Sequence, residues 1–164
     1  MQASHIASDP SPHVEAVVTR HGYMVSGTVG GALTQKNALV VAVLASCPEE
    51  AVKRACSLTD PFVPNGCLSE QTIRDHLFAL ASLRRPSDAT GLSGWIVGGH
   101  CITADGDKKT LEIPIRALSA DDALLRAARV PGFAPFGMLP EYLLAAYQAE
   151  IDDLNGCHSP SPAN

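Results

Sequence analysis

Residues 95–118 read WIVGGHCITADGDKKTLEIPIRAL. Two apolar runs, Trp95 to Ala104 and Thr110 to Leu118, flank Asp105-Gly106, a dipeptide suited to closing a tight hairpin. This stretch decides the fold class. Strands that come in adjacent pairs, with helices between the pairs, build a mixed or antiparallel sheet. A parallel doubly wound sheet needs strands alternating singly with helices, and that order is not read here.

Working outward, Gly22 to Val29 places Tyr23, Val25 and Val29 at even spacing, the period of a strand. Ala38 to Ala45 is a continuous, valine-rich apolar run, the pattern of a strand covered on both faces. Ser46-Cys47-Pro48-Glu49 then opens a helix: Ser at the N-cap, Pro in the first turn and Glu three residues on. Ser69 caps a second helix striped by Ile73, Leu77 and Leu80, and Ser119 caps a third from Ala120 to about Arg129. The last helix runs from Pro140 to Leu154, striped by Leu143, Tyr147 and Ile151. Asp60 to Gly66 and Val130 to Leu139, each holding two prolines, are expected to be loops. The expected fold is α+β: about four strands in two pairs, with three to four helices packed on the sheet.

The chain has 164 residues, 46% of them hydrophobic and 18% charged, enough for one packed core. Residues 1–12 and 156–164 read as flexible tails around a single domain over 13–155, and no repeat is read along it. The net charge of −5 and the lack of any basic block argue against a nucleic-acid partner. The apolar runs are too short to span a bilayer, and no leader segment is visible, so a cytoplasmic location is expected. Five cysteines without a C-x-x-C pair fit reduced thiols rather than a disulfide framework or a zinc site. The histidines show no H-x-x-x-H pair, and Gly27-Thr28-Val29-Gly30-Gly31 is not a dinucleotide fingerprint. Neither a metal nor a cofactor is expected.

Cys47 is the first residue with chemical potential. In the first turn of a helix, the dipole and free N–H groups stabilise a thiolate; the plainer reading is a small buried thiol. His100 is the second. A two-residue turn at Asp105-Gly106 pairs it with Leu111 and buries it, whereas a three-residue turn ending at Asp107 pairs it with Glu112. The second register joins a base to an orienting carboxylate; the plainer reading is a solvated polar pair. An enzyme built on these residues would use Cys47 as nucleophile, His100 or His76 as base, and Glu112 or Asp75 to orient it, for thiol hydrolysis, deamidation or redox chemistry. Gly98-Gly99 inside a strand signals a bulge or a close approach by a helix or ligand.

The segment Val130 to Leu139 carries Phe133, Phe136 and Met138 among Pro and Gly, and either folds back over the sheet or presents an apolar patch. Pro114 removes a ladder donor and marks its strand as an edge or as bulged. An edge strand beside an apolar segment suits self-association or peptide capture. In size, acidity and order of elements the chain is broadly similar to type III secretion effector chaperones. That organisational similarity implies a protein-binding, homodimeric module, and it assigns no residue roles. The leading expectation is therefore a small acidic module that binds a protein or peptide, with the Cys47 enzyme as the alternative.

Overall fold

The computed structural model describes residues 19–30, 37–85 and 91–158. Ten elements follow in order: β1 (His21–Val29), β2 (Asn37–Ala45), α1 (Pro48–Leu58), β3 (Phe62–Ser69), α2 (Glu70–Ser82), β4 (Ser93–Ile102), β5 (Lys108–Ala117), α3 (Ala120–Ala128), β6 (Phe133–Pro140) and α4 (Glu141–His158). The fold is α+β. The strands form two three-stranded antiparallel sheets, ordered β2-β1-β3 and β5-β4-β6, rather than two pairs. The expected tail over 1–12 lies outside the described residues, and α4 continues past Leu154 and Gly156 to His158.

The order ββαβα therefore occurs twice, and, contrary to the expectation of no repeat, the sequence carries a matching one. A shift of 72 residues takes Gly22, Val25, Gly27, Ala45, Ala51, Arg54 and Ala55 onto Gly94, Val97, Gly99, Ala117, Ala123, Arg126 and Ala127. After α1 the shift becomes 71, and Phe62-x-Pro64-x-Gly66-x-Leu68-x-Glu70 recurs as Phe133-x-Pro135-x-Gly137-x-Leu139-x-Glu141.

These two nine-residue segments are β3 and β6 with the first residue of the following helix, not the loops that their prolines suggested. Two features make a proline-bearing strand possible here. Both strands lie at a sheet edge, where a missing N–H leaves no ladder bond unmade on the outer side. Both also carry a bulge beside the proline. Gly66 faces Ser26 while Pro64 faces Gly27, leaving Asn65 as the extra residue; Gly137 faces Gly98 while Pro135 faces Gly99, leaving Phe136 as the extra residue. The Gly98-Gly99 signal thus does mark a bulge with a close approach. A Cβ on Gly99 would lie 2.3 Å from the Phe133 ring, and one on Gly27 would lie 2.5 Å from the Phe62 ring.

The two faces of each sheet bury different partners. Alternate residues of β1 and β2, among them Tyr23, Val25 and Val43, pack with Phe62 on Ala51 and Ala55 of α1. The corresponding face of the second sheet packs Val97, Ala117 and Phe133 on Ala123 and Ala127 of α3. Alanine at these helix positions lets backbone and sheet approach closely. The opposite faces meet in a central core of Met24, Ile96, Ile73, Leu80, Leu144 and Ile151. Here α2 contacts β4 and β5 of the second unit as well as its own sheet, and α4 contacts β1 and β2 of the first. The resulting layers are α1, first sheet, α2 with α4, second sheet, α3. The apolar run 38–45 is covered on both faces as expected: Val41 and Val43 lie toward α1, and Val40 and Ala42 toward the central core.

Overpacking at a ring-on-glycine contact costs about 1–3 kcal/mol, more than the ~0.4–1 kcal/mol gained entropically by replacing a glycine. Gly27→Ala and Gly99→Ala are therefore expected to lower stability by about 1–3 kcal/mol each. Gly137→Ala, with nothing within 4 Å of the new Cβ, should stay within about 0.5 kcal/mol of wild type. Urea unfolding midpoints of the three variants check this ordering.

Candidate functional site

The second hairpin adopts neither of the two expected registers. His100 pairs with Thr110, and Glu112 pairs with Gly98. The physical reason is the turn. Gly106 takes a left-handed φ of 85°, its N–H donates to the Thr103 carbonyl at 2.9 Å, and the Thr103 N–H donates to Asp107 at 2.9 Å. This is a three-residue loop with glycine in the left-handed position, and it moves the ladder one residue from the two-residue alternative. The His100–Glu112 pair consequently does not form. His100 instead sets its Nδ1 3.5 Å from Thr110 Oγ1 and its ring 4.7 Å from the ring of Phe136. Glu112 meets His76 of α2, with Nε2 to Oε2 at 3.1 Å; the contact is within ion-pair distance but off the hydrogen-bond line. His76 is largely buried, while the Glu112 side chain is 47% exposed at the rim.

Beside Glu112 and Phe136 lies a cleft of about 170 Å³, floored by Ile96 and Gly98 and walled by these two residues with Gly137 and Leu139. Phe136 is 61% exposed because it is the bulged residue, displaced from the pleat. Gly98 leaves the floor low, since a Cβ there would only touch the Phe136 ring at 3.4 Å.

The repeat supplies a counterpart. In the first unit a cleft of about 230 Å³ is formed by Met24, Ser26, Val40, Gly66, Leu68 and Tyr147, and Leu139 closes it too. Met24, Ser26, Val40 and Gly66 occupy the repeat positions of Ile96, Gly98, Glu112 and Gly137, and Tyr147 that of His76. The two clefts thus adjoin at Leu139, on the side of the molecule formed by β3 and β6. Their linings differ at one repeat position, Val40 in the first and Glu112 in the second; Tyr147 also lines the first, whereas His76 only backs Glu112 in the second.

The other sequence-derived residues distribute as follows. Phe133 is buried in the core of the second unit, and Met138 packs against it, so of the three only Phe136 is presented to solvent. Pro114 sits on β5, which pairs only with β4 and is an edge strand as expected. Cys47 is the N-cap of α1 rather than a first-turn residue, and its side chain makes no capping bond. The Glu49 carboxyl is held below its usual range first by its own backbone N–H and then by the neighbouring Cys47 side chain. Helix α1 touches only the first sheet, so the structure does not bring Cys47 together with His100, His76 or Glu112. Of the base and carboxylate combinations that the sequence offered, the structure brings together His76 with Glu112; the Tyr147 and Gly66–Leu68 wall of the neighbouring cleft was not among the candidates. The 72- and 71-residue shifts, which align Tyr147 with His76 and Val40 with Glu112, were the available signal. Among the described residues no group of three His, Cys, Asp or Glu converges, and no helix is long and apolar enough to cross a membrane.

At the start of α1, Glu50 accepts from the Ser46 N–H at 2.8 Å and the Ser46 hydroxyl at 2.5 Å, and pairs with Arg54 at 2.6 Å. These bonds hold its carboxyl at about 2 against an ordinary 4.5. A depressed carboxylate stabilises the fold above its ordinary value and loses that contribution as pH falls toward the folded-state value. Glu50→Gln should therefore narrow its stability gap to wild type as pH drops from 4.5 to 2, measured by thermal unfolding across that window. Parallel curves would show that the Ser46–Glu50–Arg54 contacts do not form in solution. Comparisons of the chain with protein-family models, with curated proteins and with solved structures give no match.

Proposed function

We propose that the protein is a non-enzymatic binding module that captures an extended segment of a protein or peptide through two apolar side chains. One side chain enters each of the adjoining clefts along β3 and β6. The observation that carries this reading is the shared wall: Leu139 lines both clefts, so the two pockets are neighbours on one face. Glycines at equivalent places, Gly66 and Gly137, keep both openings low. Strands β3 and β6 are sheet edges whose outer groups are available to a partner's backbone, less the donors missing at Pro64 and Pro135.

The magnitudes favour a reversible contact. Burying one apolar side chain contributes about 1.5–3 kcal/mol. Two anchors must offset the lost freedom of both partners and the ordering of the segment, so hydrogen bonding along the edge must supply the rest. Exposed Glu112 at one rim and a net charge of −5 select a segment with a basic or neutral flank rather than an acidic one. Self-association belongs to the same reading, since among the described residues β2 and β5 are also sheet edges and Leu111 on β5 is exposed. The five free cysteines suit a reducing compartment such as the cytoplasm. Thiol catalysis at Cys47 gains no support from a geometry that leaves α1 on the first sheet, apart from His100, His76 and Glu112.

Panning a random linear-peptide display library on the folded chain tests the proposal. The enriched peptides should carry two apolar residues, and a synthetic one should shift the backbone amides of Gly66, Cys67, Gly137 and Met138 in ¹H–¹⁵N spectra. Phe136→Ala and Gly98→Val should each weaken that peptide at least tenfold while circular dichroism stays unchanged. Absence of enrichment, or amide shifts confined to other faces, would overturn the reading.

A further inference from the structure

A separate apolar-floored cleft lies between β2, the C-terminal half of α1 and the end of α4. It has a volume of about 460 Å³, within the range of pockets that take small organic ligands. Val43, Leu58 and Leu154 give it apolar walls, and three cations, Arg20, Lys53 and Arg54, stand around it. In a chain of net charge −5 this is a local reversal of sign.

The charge balance within the cleft sharpens the point. Arg54 is engaged by Glu50, through Nε at 2.9 Å and NH2 at 2.6 Å. Among the described residues, neither Arg20 nor Lys53 has an acidic partner. Lys53 gives only its backbone carbonyl, to Ser57 at 2.9 Å. The repeat shows the alternative. In the second unit Arg116 stands at the position of Leu44 and Leu125 at that of Lys53. The Arg116 guanidinium is spent internally, on the Leu92 carbonyl at 2.5 Å and on Glu141 at 3.2 Å. The first unit keeps its cations at the mouth of an open cleft, and the second unit uses its cation to tie the fold.

We infer that this cleft is a binding site for a small amphipathic anion: one carboxylate-like head held by Lys53 and Arg20, and an aliphatic or aromatic body laid against Val43, Leu58 and Leu154. A carboxylate suits this pair of cations, because the planar Arg20 guanidinium can bind its two oxygens together and Lys53 adds a point charge on a flexible stem. The apolar walls supply the affinity, and the cations supply the orientation and the selection of an anion. The site is independent of the clefts along β3 and β6.

Isothermal titration of the full chain with sodium decanoate, below its micellar range, tests the inference, with 1-decanol and sodium acetate as neutral and short controls. Decanoate should bind saturably and perturb the amides of Leu44, Lys53 and Leu58. Acetate should not bind, and decanol should bind at least tenfold more weakly. Lys53→Glu and Arg20→Glu, both surface changes, should each weaken decanoate at least tenfold with the circular dichroism spectrum unchanged. Equal binding of decanol, binding indifferent to both charge reversals, or no saturable binding would each overturn the inference. So would association with phosphatidylglycerol vesicles in the absence of decanoate binding, since that would make the cations a membrane-facing surface.

Discussion

An aromatic ring lying on a glycine holds each half of this molecule together. Phe62 occupies the space of a Cβ on Gly27, and Phe133 occupies the space of a Cβ on Gly99. Each contact seats an edge strand against the middle strand of its sheet. Each also coincides with a slip in register, so the strand bulges immediately beyond the ring. A side chain larger than hydrogen at either glycine would lift the ring out of the α1 or α3 core and take the edge strand with it. The remaining architecture follows from that seat. Once β3 and β6 are placed, α2 and α4 start directly from their ends and meet in one central layer.

The two units share a scaffold and differ in how they use polar groups. The acidic residue that opens the second helix of each unit is retained. Glu70 accepts the Gly22 N–H at 3.2 Å and pairs with Arg74, while Glu141 binds Arg84 and Arg116. Both are placed where the helix dipole favours a negative charge. Elsewhere the equivalence breaks. Asn65 at the first bulge is tied to Ser26 Oγ at 2.9 Å, whereas Phe136 at the second is thrown outward onto His100. Val40 and Tyr147 keep one cleft apolar; Glu112, in contact with His76 behind it, makes the other polar at its rim. Among these divergent positions Phe136 and Glu112 reach solvent, while Val40, Tyr147 and His76 stay largely packed.

Much of the fold was legible in the residues. The helix caps Ser69 and Ser119 sit where they were read and accept from Thr72 and Asp122. The stripe of Ile73 and Leu80 does face the core, and Pro114 does mark an edge. Three things were hidden, each for a physical reason. Pro64 and Pro135 argued against strands because a proline ends a central ladder, but at an outer edge beside a bulge the missing donor costs little. The hairpin register turned on whether the loop begins at Ala104 or at Asp105, a one-residue choice that apolar alternation alone did not decide. The repeat escaped because its signal lies in single glycines, alanines and phenylalanines spread over 72 residues rather than in a contiguous motif. The site was less legible still. His76 and Glu112 meet only because α2 of one unit lies on the sheet of the other, a contact that no local pattern encodes.

The arrangement of both clefts depends on the two seated rings, and nuclear magnetic resonance reports that seating directly. The measurement is the chemical shift of the Gly27 and Gly99 Hα protons, with their nuclear Overhauser contacts to neighbouring rings. Upfield-shifted Hα signals, with contacts from Gly27 to Phe62 and from Gly99 to Phe133, are the result this account predicts. Ordinary glycine shifts, with no contact to either ring, would mean that residues 62–69 and 133–140 are not strands. The paired clefts, the bulged Phe136 and the central helix layer would then all have to be abandoned.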